Sequence, residues 1–438
     1  MAIKAVRLEV MRSGFYGEYY EDCFIIKLNV PIDFSNLANS DDADHLGTFF
    51  HEYIHFLQNI STTFGNFSMA VFYAKMSDIF YHMANHQTHS IPKVIRYNDS
   101  VEPFAVRHEI ILGDREDWTY EPCDFLSIED VSLEKDDILE ELGYGDCVLP
   151  QIKVLIAKDG KPDHKVLNFG AMCVMESMAD MMDLHLYGKS KQGEFVQYDI
   201  CKKLWEYYLG STYSDELIFR CCEYSLMYDN PGQIYFLALR TLSQELKKNS
   251  ISNISETIID DFFKNQIKPY FVETYEENYQ EMIRFAKDLI PEKNSFTQDV
   301  SEYVLDCYKY FHDTRQANPL FITKIYKTVP KLAKLVLIQC MDIAVPLVIN
   351  AEHESFVPNR LQTGGAGLEV YAAYYAIYNL FNNNPNMCEL MDFCRMNSDG
   401  SIKDFCNKEP LVSIDESKLC VLGQMLHMWQ SKVRQIVT

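Results

Sequence analysis

The segment His51-Glu52-Tyr53-Ile54-His55 sets two imidazoles four residues apart, with a carboxylate directly after the first. In an α-helix such positions lie on one face, so the two rings converge on a common point, as a helix does when it holds zinc. Leu46, Phe49, Phe50, Leu57 and Ile60 recur at helical spacing and place the motif on an amphipathic helix from Asp44 to Gly65, with Asp44 as N-cap and Gly65 as the stop. Such a helix constrains the rest of the fold, because a catalytic zinc takes a third protein ligand and that ligand has to arrive from another element. Glu52 can project beside the metal and take a proton from an activated water. The implied chemistry is zinc-dependent hydrolysis, most naturally of a peptide bond, with a metal-free buried histidine pair as the plain alternative.

Composition narrows the classes. The 438 residues are long for one domain, and a hydrophobic share of 47% with 13% aromatic residues supports large cores. A formal charge of −23 disfavours nucleic acid and anionic membrane surfaces and leaves neutral or basic polypeptides as the better partners. The first twenty residues alternate and carry charges, without the apolar stretch of a secretory signal. The longest apolar run, Leu335 to Ile349, is interrupted by Gln339 and Asp342, is too short to span a bilayer, and reads as a buried helix. Thirteen cysteines without paired spacing read as reduced thiols of a cytoplasmic protein.

Along the chain, residues 4–12 and 19–30 alternate in polarity around Ser13-Gly14 and suggest a hairpin or the first strands of a small sheet. A second helix is expected from Asn66 to about His86. Between Val101 and Cys147 there are fifteen acidic residues against three basic ones, an acidic insertion at about 90–150. It reads as a solvated segment with one short helix, or as an acidic wall that selects basic substrates. A hairpin is expected at 151–156 and 165–167 around Asp159-Gly160-Lys161. Next comes a helix from the N-cap Asn168 to about Tyr187, before Gly188. Helices are then expected at 197–209, 214–228, 231–247, 255–290, 296–313, 318–349, 367–382 and 416–436. The fold class is α+β and mostly helical, with a catalytic unit over 1–190 and a helical lobe over 191–438 completing the cleft.

The third ligand is sought where a carboxylate sits on an apolar helix. Glu176 and Asp180 share a face of a helix rich in Met172, Met175, Met178, Ala179 and Met182. Buried carboxylates are costly without a cation or a donor. Zinc answers for Glu176, and the second N–H of a ligand histidine answers for Asp180. His164, Asp183, His185 and the group Glu352-His353-Glu354 are the other candidates. The metzincin extension, with Gly at 58 and His at 61, is absent, since Gln58 and Ser61 stand there.

With H-E-x-x-H on one helix and Glu176-x-x-x-Asp180 on a later one, the first 190 residues resemble the gluzincins, the thermolysin-like branch of zinc metallopeptidases. The resemblance implies a zincin-like N-terminal part, a small β-sheet plus the motif helix. It implies His51, His55 and Glu176 as zinc ligands, Glu52 as general base, and Asp180 as the carboxylate that orients His51. The 121 residues between His55 and Glu176 are more than that branch usually has, which the acidic insertion explains. Tyr228 and Tyr235, flanking the turn-like Asp229-Asn230-Pro231-Gly232, are candidates for stabilising the oxyanion. The rival reading is a catalytically idle zincin-like scaffold, or a protein-interaction module with a structural metal site.

Overall fold

The computed structural model describes residues 17–20, 24–34, 37, 43–85, 101–113, 117–120, 122–145, 147–158, 160–188, 195–210, 214–249, 254–266, 268–289, 298–352 and 355–356, with single positions at Ala373, Ala376 and Leu422. In chain order the elements begin with β1 (Gly17–Tyr20), β2 (Ile25–Leu28), α1 (Ala43–Ser61), α2 (Thr63–Asn85) and α3 (Glu102–Leu112). Then come β3 (Asp124–Lys135), α4 (Asp137–Glu141), β4 (Val148–Lys158), β5 (Lys161–Asn168) and α5 (Ala171–Tyr187). The helical half follows as α6 (Val196–Leu209), α7 (Asp215–Leu226), α8 (Pro231–Asn249), α9 (Glu256–Gln266), α10 (Lys268–Leu289), α11 (Gln298–Ala317), α12 (Phe321–Tyr326) and α13 (Pro330–Ile343). Two short strands follow, β6 (Leu347–Ile349) and β7 (Ser355–Phe356). The fold is α+β and mostly helical.

Among the described residues there are two small sheets. One has the order β1-β2-β6-β7, the other β3-β4-β5. In the first, β2 pairs antiparallel with β1 and parallel with β6, which brings residues 25–27 beside 347–349. A single apolar core runs from Phe24 through α1, α5 and α7 to Val348, so the expected boundary near residue 190 is crossed both by hydrogen bonds and by packing. The β4–β5 hairpin pairs Lys158 with Lys161, and Gly160 before Lys161 takes a left-handed φ of 71°.

Helix α1 is enclosed rather than amphipathic. Every residue from Leu46 to Ser61 is buried, the polar motif included. It ends at Ser61, and α2 starts two residues later. The Thr62 hydroxyl donates to the Gln58 carbonyl at 2.7 Å and accepts the Gly65 N–H at 3.0 Å, which caps α2 without a loop. Gly65 is therefore not a stop but part of this corner. A Cβ there would lie 1.9 Å from the Asn59 carbonyl oxygen.

Several expectations are corrected. The first hairpin is β1–β2, within residues 17–28; residues 4–12 lie outside the described residues. The helix carrying Glu176 begins at Ala171, and Asn168 ends β5 instead of capping it. The acidic insertion contains α3, the twelve-residue strand β3 and α4, more than one short helix. The helix expected at 318–349 is α12, α13 and β6, because Pro330 opens α13 and Pro346 precedes the strand. The helices expected at 367–382 and 416–436 lie outside the described residues, save the three single positions. Among the described residues no helix is long and apolar enough to cross a membrane.

Candidate metal centre

Helices α1 and α5 run antiparallel. Going forward along α5, the Met175 carbonyl meets Gln58, Glu176 meets His55 and His51, and Asp183 reaches Gly47. Gly47 makes this approach feasible, since a Cβ on it would lie 2.5 Å from Asp183 Oδ1. The result is a triangle of donor atoms. His51 Nε2, His55 Nε2 and Glu176 Oε2 lie 3.2 Å from one another on all three sides. Tetrahedral ligands about 2.0–2.1 Å from a zinc ion stand about 3.3–3.4 Å apart, so the donor set and its spacing fit such an ion. Among the described residues this is the one group of three His, Cys, Asp or Glu side chains placed to hold a metal.

The electrostatics point the same way. Burial disfavours a charged His55, but the Glu176 carboxylate, its hydrogen bond and the nearby Glu52 charge outweigh burial and push the imidazole up to about 9. Burial alone would raise Glu176, yet the two imidazoles hold it well below the ordinary carboxylate range. The cluster demands a positive charge, which a shared proton or a metal ion supplies.

Glu52 follows His51 on α1 and is 7% exposed. Strand β1 passes over it. A Cβ on Gly17 would lie 3.1 Å from Glu52 Cγ and 2.7 Å from Thr48 Cγ2. Asp180, one turn beyond Glu176, is fully buried.

Two neighbours went unnoticed as site residues in the sequence. Gln58, which in the sequence marks only the absence of the metzincin extension, is buried and accepts from His55 Nδ1 at 2.9 Å. Tyr198 on α6 stands edge to face with the His51 ring, centroids 5.6 Å apart. Only the three-residue spacing of Gln58 from His55 could have hinted at the first; nothing local marks the second.

The tyrosines proposed for the oxyanion are both buried. Tyr235 is fully buried and its hydroxyl donates to the Cys201 carbonyl at 2.9 Å, so it serves the α6–α8 contact and is corrected to a packing residue. Tyr228 is buried with its ring 6.5 Å from Phe263. The alternative ligands also lie elsewhere. His185 Nε2 donates to the Thr328 carbonyl, and His164 pairs with Glu129 on the exposed sheet surface. Glu352 is exposed, and His353 and Glu354 lie outside the described residues. Carboxylates of the acidic segment, Glu109, Glu134 and Asp136, line a cavity of about 300 Å³ whose lining includes no member of the triangle.

No protein-family model, curated protein or solved structure matches this chain.

Proposed function

We propose that the chain is a zinc-dependent peptidase whose metal is held by His51, His55 and Glu176. The observation that carries this reading is the 3.2 Å triangle of donors on two buried helices, with Glu52 adjoining its first corner. A metal held by these three groups would supply Lewis acidity toward water and a carbonyl at neutral pH. The rest falls to the protein. Glu52 takes the proton of the attacking water on a carboxylate oxygen and returns it to the leaving amine nitrogen. Asp180, buried one turn beyond Glu176, is assigned the orientation of His51, the role that the gluzincin pattern gives to that carboxylate. Tyr198, its ring edge to face with His51, gives the site an aromatic wall. The charge of −23 favours neutral or basic polypeptides as substrates.

Metal analysis of the purified chain beside Glu52→Gln, His55→Ala and Glu176→Ala tests the ligand set. About one zinc per chain is expected in wild type and Glu52→Gln, with loss in the other two. Undiminished zinc in Glu176→Ala would overturn the assignment. For activity, terminal labelling of a proteome incubated with zinc-loaded protein should give new cleavage sites with wild type and none with Glu52→Gln. Identical profiles would leave the idle scaffold as the better reading.

A further inference from the structure

We propose that Gln58 is the positioning residue of the metal centre: one buried amide fixes the His55 ring with its Nε2 lone pair on the triangle and ties the Glu176 segment to the motif helix. The proposal rests on the metal-centre reading and adds a residue that the H-E-x-x-H and Glu-x-x-x-Asp patterns do not contain.

The hydrogen bonds fix the amide unambiguously. Gln58 is 1% exposed, and its Nε2 donates to the Met175 carbonyl at 3.1 Å. A carbonyl only accepts, so the amide nitrogen has to face α5 and Oε1 has to face His55. That oxygen lies 2.9 Å from His55 Nδ1 and also only accepts, so Nδ1 carries the hydrogen. In the neutral imidazole, Nε2 is then a bare lone pair. It points at Glu176 Oε2 and His51 Nε2, both 3.2 Å away. A lone pair facing a carboxylate is repulsive unless a cation lies between them, which is the arrangement a metal ligand needs.

The second half of the amide acts on the third ligand. Met175 immediately precedes Glu176, so the bond to its carbonyl sets the distance between α1 and α5 where the carboxylate leaves the helix. The main chain of Gln58 is held too, since its carbonyl accepts both the N–H and the hydroxyl of Thr62. A carboxylate at position 58 would accept from His55 equally well but would repel the Met175 carbonyl. The amide meets both demands without adding charge to the site.

The test uses the full chain with zinc itself as the probe, in Gln58→Met, which keeps length and removes both bonds, and in Gln58→Glu, which keeps the bond to His55 alone. Zinc affinity by chelator competition should fall about 10–100-fold in Gln58→Met, the usual loss when a partner of a ligand histidine is removed. Gln58→Glu should recover part of the loss, and the visible spectrum of the cobalt-loaded protein should change in Gln58→Met. Wild-type affinity together with an unchanged cobalt spectrum in Gln58→Met would overturn the role of Gln58 alone. Wild type that holds no zinc would overturn the metal centre and this role with it. Should Gln58→Met not fold, nitrogen-15 histidine NMR of the zinc-loaded wild type decides the matter. A hydrogen on His55 Nδ1 is expected, and one on Nε2 would refute the arrangement.

Discussion

At Gly17 the absence of a Cβ decides how closely strand β1 lies over Glu52. The added atom would meet Thr48 Cγ2 at 2.7 Å, Leu28 Cδ2 at 2.9 Å and Glu52 Cγ at 3.1 Å. All three are side-chain atoms, so the neighbours can yield, and the one that matters for chemistry is Glu52. Gly17→Ala should leave zinc content unchanged and lower peptide cleavage by roughly 10–100-fold, because a general base moved by a fraction of an ångström loses its alignment. Parallel zinc analysis and steady-state rates check this; loss of zinc in step with activity would count against it. His51, Glu52 and His55 were legible in the sequence because helical periodicity alone brings them together. Glu176 was legible because a carboxylate on an apolar helix asks for a cation. Gln58 was not, since a glutamine reads the same whether its helix faces water or, as here, is enclosed on every side. Nor was the place of Tyr235, whose acceptor is a backbone carbonyl that any helix could have offered.

Helices α7 and α9 are held together by a fork of charges. Arg220 donates from Nε to Asp260 Oδ1 at 2.8 Å and from its terminal nitrogen to Oδ2 at 2.7 Å, while the Tyr224 hydroxyl donates to Oδ1 at 2.9 Å. Partial burial by itself would raise Asp260, but the bonds from Arg220 and Tyr224 prevail and hold it below its ordinary value of 3.8. A depressed carboxylate stabilises the fold above its unfolded pKa and ceases to as the pH falls through the folded one. Asp260→Asn should therefore cost about 1 kcal/mol at neutral pH, discounted for the pair's solvent access, with the gap closing as the pH falls from 3.8 through the depressed folded value. Urea midpoints of the two proteins across that range are the measurement, and a gap that widens in acid would contradict the assignment. Elements of this kind were legible where periodicity was unbroken, as in α1, α2, α6, α7 and the β4–β5 hairpin. Strand β3 was not, because register shifts at Phe125/Ser127 and Ile128/Asp130 break the alternation that marks a strand. Strand β6 was hidden because three apolar residues after a helix look like its continuation, and its partner β2 lies more than three hundred residues earlier.

The whole molecule is closed by long-range ties that meet behind the motif helix. Parallel pairing of β2 with β6 is one, and the Tyr53 hydroxyl on the Ala344 carbonyl is another. The third is a buried ion pair. Arg315 on α11 and Glu223 on α7 are in direct contact with both side chains wholly buried. Arg315 also donates to the Ser61 carbonyl at 3.0 Å, at the end of α1, and its guanidinium stacks 4.4 Å above the Phe321 ring. Glu223 accepts the N–H groups of Ile322 and Thr323 at the start of α12. Four helices thus depend on one pair of charges. Removing either partner strands the other in the core, so Arg315→Met alone should cost about 3–5 kcal/mol, whereas burying no charge at all is far less expensive. The double variant Arg315→Met with Glu223→Gln should then lose less than the two single variants together, since neither charge is left alone and the remaining amide oxygen still accepts from the start of α12. Denaturant unfolding of the four proteins in the cycle measures this coupling. Additive losses would mean that the two residues act separately, and that the end of α1 is held by packing rather than by the pair.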